Sequence, residues 1–344
     1  MERKPRLGIV MGDAAGIGPE IIIKATMGSD ILRICDPIVI GSARTMALMN
    51  EALGCPAALA IMSGPGDGEP SPGTIRILDC DVEENKHFRW GAADGTNGKN
   101  SIAHIGEAVR LASSGLLDGF VIAPLNKEAL HLAGCTLPDE GALLQEEAGV
   151  SLVKLVLKWD QIFRSSVVGH TPFRDIVANL TQDRIVKTVE HLGNTIRLFL
   201  ASAPRIGVAA LNPHAGEGGA FGDEEATILT PAVEEARRFG FVMSGPYPAD
   251  TILLRAKDRK LDGIVYLYHD QGNIALKAAA FGESVIIYSG LPFPVTGPGH
   301  GTAYGRAGKG YADPRNLQEA IRVCAEMARK KRFSGGGNAQ QPSA

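Results

Sequence analysis

The sequence predicts an α/β fold with a largely parallel sheet. Short β-branched apolar runs alternate with helical patterns along the chain, and glycine-rich loops fall just after those runs. At 344 residues, 44% hydrophobic and 21% charged, the chain can bury a sizeable core and suggests about two domains.

The elements follow in order. Arg6–Met11 reads as a first strand and Pro19–Thr26 as the helix after it. A helix with Ile102, Ile105, Val109 and Ala112 on its apolar face stops at Gly115 and precedes a buried strand at Asp118–Ala123. Asp183 is placed to cap a helix carrying Ile185, Val186, Val189, Leu192 and Ile196. Arg205–Leu211, Gly263–Tyr268 and Ser284–Ser289 read as further strands. Thr230-Pro231 looks like a cap and first helical residue restarting a helix to about Arg238. Gly64–Gly73 reads as an exposed loop, and the apolar-poor tail Ser334–Ala344 is expected to be disordered. There is no internal repeat.

Composition narrows the function classes. Lys and Arg total 35 against 38 Asp and Glu, a net charge of −3, which argues against nucleic acid as a partner. No apolar stretch approaches the ~20 residues a bilayer needs, and Leu7–Met11 is too short for a signal-peptide core. The expectation is a cytoplasmic protein with no membrane partner. Cys35, Cys55, Cys80, Cys135 and Cys324 are scattered and odd in number, so they read as idle thiols rather than a disulfide framework or zinc site.

Four loops have the composition of working segments. Met11–Glu20 (MGDAAGIGPE) sets three glycines between strand and helix but lacks the G-x-G-x-x-G fingerprint; it is either a tight turn or a close approach to a ligand through Gly12 and Gly16. Three histidines end apolar runs: His170, His214 and His269. Imidazole is a common ligand for zinc and similar cations, and three protein ligands with an open position is the catalytic pattern. Each histidine alone is equally a hydrogen-bonded loop residue; the shared context favours a shared site, whereas His87, His104, His131 and His191 read as surface or helix residues. Asp250, Asp270 and Lys277 form a carboxylate–lysine set able to move a proton beside a cation, with capping and a solvated ion pair as the plainer readings. Finally, residues 297–314 (GPGHGTAYGRAGKGYADP) hold six glycines, more than a connection needs, and suit close backbone contact with a flat ligand such as an adenine nucleotide.

These residues resemble the 4-hydroxythreonine-4-phosphate dehydrogenase (PdxA) family over about residues 5–330. The motifs are MGDAAGIGPE at 11–20, APLNKEAL at 123–130, LNPHAGEGG at 211–219, GPYPADT at 245–251, YHDQG at 268–272, GLPF at 290–293 and HGTA at 300–303. The first and last also look like the isocitrate and isopropylmalate dehydrogenases. The resemblance implies one family unit, residues 1–333, of two interleaved α/β subdomains with an active-site cleft between them. It implies a homodimer whose site is completed by the partner: one divalent metal, zinc foremost with manganese, cobalt or magnesium as alternatives, held by His170 and His214 of one subunit and His269 of the other. Asp250 and Asp270 lie near that metal by the same implication, and Lys277 holds an acidic group of the substrate. NAD or NADP is assigned to Gly12, Gly16 and the stretch with His300, Gly301, Thr302, Ala303 and Asp313. The implied reaction oxidises a β-hydroxy acid to a β-keto acid that can lose CO2, with metal, base and nicotinamide each in its usual part.

One end of the site departs from the family. Phosphate-substrate members carry Gly-His-Thr-Glu where this chain has Pro138-Asp139-Glu140-Gly141-Ala142. Aligned without gaps, the family's His and Thr fall on Glu140 and Gly141, and its phosphate-contacting Asn and Arg on Ile286 and Val295. A phosphate dianion needs several charge-assisted hydrogen bonds, and apolar neighbours make its burial costly. Other contacts, from Arg164 or Arg174, remain open. The first expectation is therefore a non-phosphorylated substrate meeting Glu140, Lys277, Ile286 and Val295, such as an aromatic cis-dihydrodiol carboxylate of the terephthalate type. The alternative is 4-hydroxythreonine-4-phosphate or a related sugar-acid phosphate. A metal-dependent hydrolase or acyltransferase using the same histidines, and a non-catalytic binding protein, are the more distant readings.

Overall fold

The structure, a computed structural model, describes residues 3–335. The chain forms two compact units: Met1–Val153 with the segment from Leu291 onward, and Lys154–Gly290.

The first leg runs β1 (Arg6–Val10), α1 (Gly18–Thr26), α2 (Ser29–Ile34), β2 (Asp36–Gly41), α3 (Ala43–Ala52), β3 (Ala58–Met62), β4 (Thr74–Asp79), α4 (Gly95–Ser113), β5 (Gly119–Ile122), α5 (Lys127–Leu132) and α6 (Glu140–Ala148). Local chemistry sets the helix starts. Ser42, Asp94, Asn126 and Asp139 each accept a hydrogen bond from a first-turn amide of the helix they precede, meeting donors that would otherwise be orphaned. Leucine, isoleucine and valine on β1, β2 and β5 are almost wholly buried, as strands covered on both faces require.

The second unit runs β6 (Lys154–Trp159), β7 (Ile162–Val168), α7 (Gln182–Arg197), β8 (Arg205–Ala209), α8 (Thr230–Ala236), β9 (Val242–Tyr247), α9 (Ile252–Lys257), β10 (Gly263–Tyr268), α10 (His269–Ala280) and β11 (Val285–Ser289). Its strand order is β11-β6-β7-β10-β8-β9. β6 pairs antiparallel with both neighbours; β7, β10, β8 and β9 are parallel. The apolar face of α7 reads as the sequence has it: Ile185, Val186, Val189, Leu192 and Ile196 are all buried. Each such side chain contributes roughly 1.5–3 kcal/mol of burial. The cap is different. Thr181, not Asp183, accepts from the Arg184 amide at 3.3 Å, and Asp183 lies in the first turn, where its charge suits the helix dipole. Thr230 is not a restart either. Its backbone is helical, a π-turn over Glu225–Leu229 leads straight into α8, and its hydroxyl donates back to the Glu225 carbonyl at 2.8 Å.

The chain then returns to the first unit with β12 (Val295–Pro298) and α11 (Arg315–Gly335). The completed sheet of that unit, β3-β4-β2-β1-β5-β12, is parallel throughout. α11 takes in Ser334 and Gly335, the first two residues of the expected disordered tail; the rest of that tail lies outside the described residues. All five cysteines are free. Among the described residues no helix is long and apolar enough to cross a membrane.

Candidate functional site

In open α/β sheets ligands meet the loops beyond the carboxyl ends of the strands. In the second unit, parallel neighbours β7, β10, β8 and β9 send out, in that order, His170, His269 with Asp270, His214 and Asp250. Topology therefore does what spacing in the sequence could not: three histidines more than forty residues apart emerge from three adjacent strand ends. Val168 is the register partner of Tyr268, so His170 and His269 leave the sheet side by side, their rings 5.0 Å apart. His269 Nδ1 lies 2.7 Å from Asp270 Oδ1. With the Nδ1 proton donated to that carboxylate, Nε2 presents a lone pair outward.

His214 sits in unusual backbone. Residues His214–Gly218 all have positive φ, three of them not glycine. Such strain persists where the surroundings hold it, and the holder here is Glu225. That carboxylate, 7% exposed, accepts from the Leu211 amide at 2.9 Å, the Asn212 amide at 2.7 Å and Asn212 Nδ2 at 2.9 Å. Burial works to raise its pKa, but the donors of Asn212 and Leu211 outweigh burial and hold it below the ordinary 4.5. A Cβ on Gly216 would come within 2.8 Å of Glu225 Oε2, so the turn packs on its own support.

The remaining predicted residues of this unit are surface groups. Asp250 is exposed in the turn after β9 and does not cap α9. Asp270 and Lys277 are exposed on α10, seven residues apart and so on one helix face. Ile286 is half-buried on β11. Of the two arginines left open as phosphate contacts, Arg164 is buried. It donates to Ser166 and Asn273 and lies against the first turn of α10 at Gly272, and burial pushes its pKa down to about 10. Arg174 is exposed, four residues beyond His170. Among the described residues, no group of three His, Cys, Asp or Glu side chains is arranged to cage a metal.

In the first unit the ends of β1 and β12, on either side of β5, carry the glycine-rich loops. Gly12 has φ +69°, and a Cβ there would lie 2.4 Å from the Ala123 carbonyl oxygen and 2.5 Å from that of Pro124. A Cβ on Gly16 would lie 2.9 Å from Thr302 Cβ. These two glycines thus make room for neighbouring backbone of the chain itself, a different use from direct cofactor contact. Ile17 N donates to the Thr302 carbonyl at 3.0 Å, and Asp13 N to the Pro124 carbonyl at 3.0 Å. Asp13, 1% exposed, accepts from the Ala15 amide at 2.9 Å and from the Tyr304 hydroxyl. Burial raises the pKa of both Asp13 and Tyr304, and their mutual hydrogen bond raises that of Tyr304 further while opposing the rise of Asp13. Thr302 is buried; Gly301 and Ala303 are exposed, His300 is partly exposed, and Ala303 has φ +45°. Asp313 is tied to Arg315 at 2.8 Å, which holds its carboxyl below the usual range.

Two predicted substrate residues fare differently. Glu140 is half-buried in the first turn of α6, beside a cleft of about 450 Å³ lined by residues that include Lys127, His131, Cys135 and Asp139. Val295 is fully buried in the core opposite Phe120 and cannot line a substrate site. The sequence reading also passed over Asp13, Tyr304 and Glu225. A lone carboxylate in the apolar run Met-Gly-Asp-Ala-Ala was a usable signal for the first, and Tyr304 lies inside the glycine-rich stretch 297–314; nothing local marked Glu225.

Residues 33–324 match the family described as "Pyridoxal phosphate biosynthetic protein PdxA". The chain belongs to the PdxA family. It is 37% identical over 329 residues to the D-threonate 4-phosphate dehydrogenase of Cupriavidus necator, covering 95% of this chain and 98% of that one. The 4-hydroxythreonine-4-phosphate dehydrogenase structure from Klebsiella pneumoniae superposes with TM-score 0.84 at 35% identity, covering 94% of this chain and 98% of the other. A terephthalate 1,2-cis-dihydrodiol dehydrogenase structure from Burkholderia xenovorans LB400 matches at TM-score 0.64 and 26% identity, with 94% and 98% coverage. The chain is thus a dehydrogenase of the PdxA family. Its relatives named for phosphorylated substrates are more similar to it than the dihydrodiol enzyme, which overturns the order of the two substrate expectations. The burial of Val295 supplies a reason: one of the four positions read against phosphate never faces a ligand.

Proposed function

We propose that the protein oxidises a small hydroxy acid carrying a terminal phosphate, of the D-threonate 4-phosphate or 4-hydroxythreonine-4-phosphate kind, with NAD+ or NADP+ as hydride acceptor. The emergence of His170, His269 and His214 from adjacent strand ends of the second unit, the first two with rings 5.0 Å apart, carries the reading. Imidazole donors suit a divalent cation by their chemistry, while among the described residues no three side chains are already arranged as its cage. Two imidazoles lie 5.0 Å apart, and one is fixed through Nδ1 by a carboxylate in the manner of metal-bound histidines. His170, His214 and His269 would hold it, and when bound it supplies Lewis acidity toward the substrate's hydroxyl and carboxylate.

The chain's own residues do the rest. Asp270 orients His269 through Nδ1, which leaves Nε2 facing away from that carboxylate. Asp250, exposed one strand away, is the carboxylate placed to take the hydroxyl proton as hydride leaves the same carbon for the nicotinamide ring. Loss of CO2 from the resulting β-keto acid leaves an electron pair on the neighbouring carbon, which a proton then meets. Lys277 and Arg174 are the exposed cations of this unit nearest in sequence to the histidines, and they suit the anionic end of the substrate. The first unit's loop at 300–313, held from behind by the buried segment 12–16, receives the dinucleotide.

The test is reduced-nicotinamide absorbance with purified protein, manganese or zinc, and three substrates in parallel: D-threonate 4-phosphate, 4-phosphohydroxythreonine and a terephthalate-type cis-dihydrodiol. Turnover of a phosphate ester that chelation abolishes is expected. Turnover of the dihydrodiol alone would restore the non-phosphorylated reading.

A further inference from the structure

We infer that Asp13 and Tyr304 form a buried clamp that fixes the glycine-rich loop 299–313 in the shape a dinucleotide meets, which makes Tyr304 a positioning residue for the cofactor. The inference rests on the reading that this loop receives NAD+ or NADP+.

Besides the bond from Ile17 N to the Thr302 carbonyl, the loop is fastened at two points, one on the β1–α1 connection and one on α1 itself. At the first, the Tyr304 hydroxyl donates to Asp13 Oδ2, and the Asp13 backbone is itself pinned to Pro124. The Tyr304 carbonyl is backed by Gly91, where a Cβ would intrude to 2.7 Å, and Gly91 N donates to Ala15 at 2.8 Å. At the second, Glu20, fully buried, accepts from the amides of Ala312 at 2.7 Å and Gly310 at 3.3 Å, while Lys24 binds both Glu20 and the carbonyls of residues 310 and 312. Between the posts Ala307 is buried and Gly308 packs on Trp90, while Gly305, Arg306 and Lys309 are exposed, and Gly301 and Ala303 lie exposed just before the first.

A glycine-rich segment that had to be ordered at each binding event would lose affinity to that ordering. Buried anchors remove the cost in advance. Asp13 and Tyr304 themselves face inward, so they act through the loop and not on the reacting atoms. Glu20 is satisfied without Tyr304, so loss of the hydroxyl should loosen residues 300–307 while leaving 310–312 attached.

The experiment compares Tyr304→Phe, Asp13→Asn and the double variant with the parent. The KM for NAD+ or NADP+ is expected to rise about tenfold in Tyr304→Phe, the scale of one buried charge-assisted hydrogen bond, with kcat and the KM for the hydroxy acid within about twofold of the parent. The double variant should be little worse than Tyr304→Phe alone, since both remove one interaction. Amide exchange should quicken in 300–307 and not in 310–312. An unchanged nucleotide KM, or an equal rise in both KM values, overturns the clamp. A parent protein that binds neither dinucleotide by calorimetry overturns the functional reading as well; loop exchange that still responds to Tyr304→Phe would then show that this reading, and not the bond's hold on the loop, had failed.

Discussion

Single carboxylates decide how this chain holds its working loops. Glu225 is the clearest case, because it offers two oxygens to three donors and thereby keeps the left-handed turn that bears His214. Its pKa lies below 4.5 in the folded protein. The sign follows from linkage: the unfolded chain takes up the proton first as pH falls, so the stabilisation is present above about pH 4.5 and is lost as pH drops through the depressed folded value. Glu225→Gln keeps the shape but not the charged acceptor. It should lower the free energy of unfolding by about 1–3 kcal/mol at pH 7, and the gap from the parent should narrow near pH 3. Urea denaturation at the two pH values measures both quantities; an equal gap at each would show that the charge is not what holds the turn. None of this was legible beforehand. The motif Asn-Pro-His-Ala-Gly-Glu-Gly-Gly announces a special loop, yet its support sits eleven residues beyond His214 in an ordinary helical sequence. The histidines were legible because each ends an apolar run; the adjacency of their strand ends was not, because strand order is a long-range property.

At the scale of elements, the close contacts of glycine separate packing from propensity. Gly98 and Gly106 lie on the same helix, α4. A Cβ at Gly98 would come 2.0 Å from the Ala129 carbonyl oxygen on α5, and backbone cannot yield cheaply. At Gly106 the nearest atom is the flexible carboxylate end of Glu147, at 3.1 Å. Helix propensity favours alanine at both positions by up to about 1 kcal/mol. Gly98→Ala should therefore destabilise by roughly 2–4 kcal/mol through forced separation of α4 and α5, whereas Gly106→Ala should be neutral or slightly stabilising. Thermal unfolding of the pair checks this. Similar losses at both would mean that backbone entropy, not the α4–α5 contact, dominates. The same scale shows where reading by pattern ends. β1, β5, β10, β11 and α7 were visible as apolar runs or a 3.6-residue stripe. The antiparallel β6–β7 pair was not, because Lys154, Lys158 and Trp159 dilute its apolar pattern. The caps of α7 and α8 were misplaced for a related reason. Thr181 and Asp183 are both good cap residues two positions apart, and a proline at the start of a helix looks the same when a π-turn runs into it.

For the whole molecule, one stripe of α10 joins chemistry to assembly. Asp270, Ile274, Lys277 and Phe281 fall at intervals of four, three and four residues, which places them on one face running into the helix end. Ile274 is 69% and Phe281 82% exposed, and Phe173, 79% exposed, lies against Tyr268 just before His269. Large apolar side chains left in water beside candidate catalytic groups are the composition of an interaction surface. We propose that its occupant is a second copy of this chain, as the family resemblance implies. A homodimer through this face would close water away from His170 and His269 while bringing the partner's side chains to them. Phe281→Asp and Ile274→Asp should then yield a monomer by sedimentation, with the fold retained by circular dichroism and turnover reduced at least a hundredfold. A variant that stays dimeric would remove this face from the interface. A monomer with full turnover would mean something different: that His170 and His269, already 5.0 Å apart within one chain, complete the site without a partner, and that pairing serves stability alone.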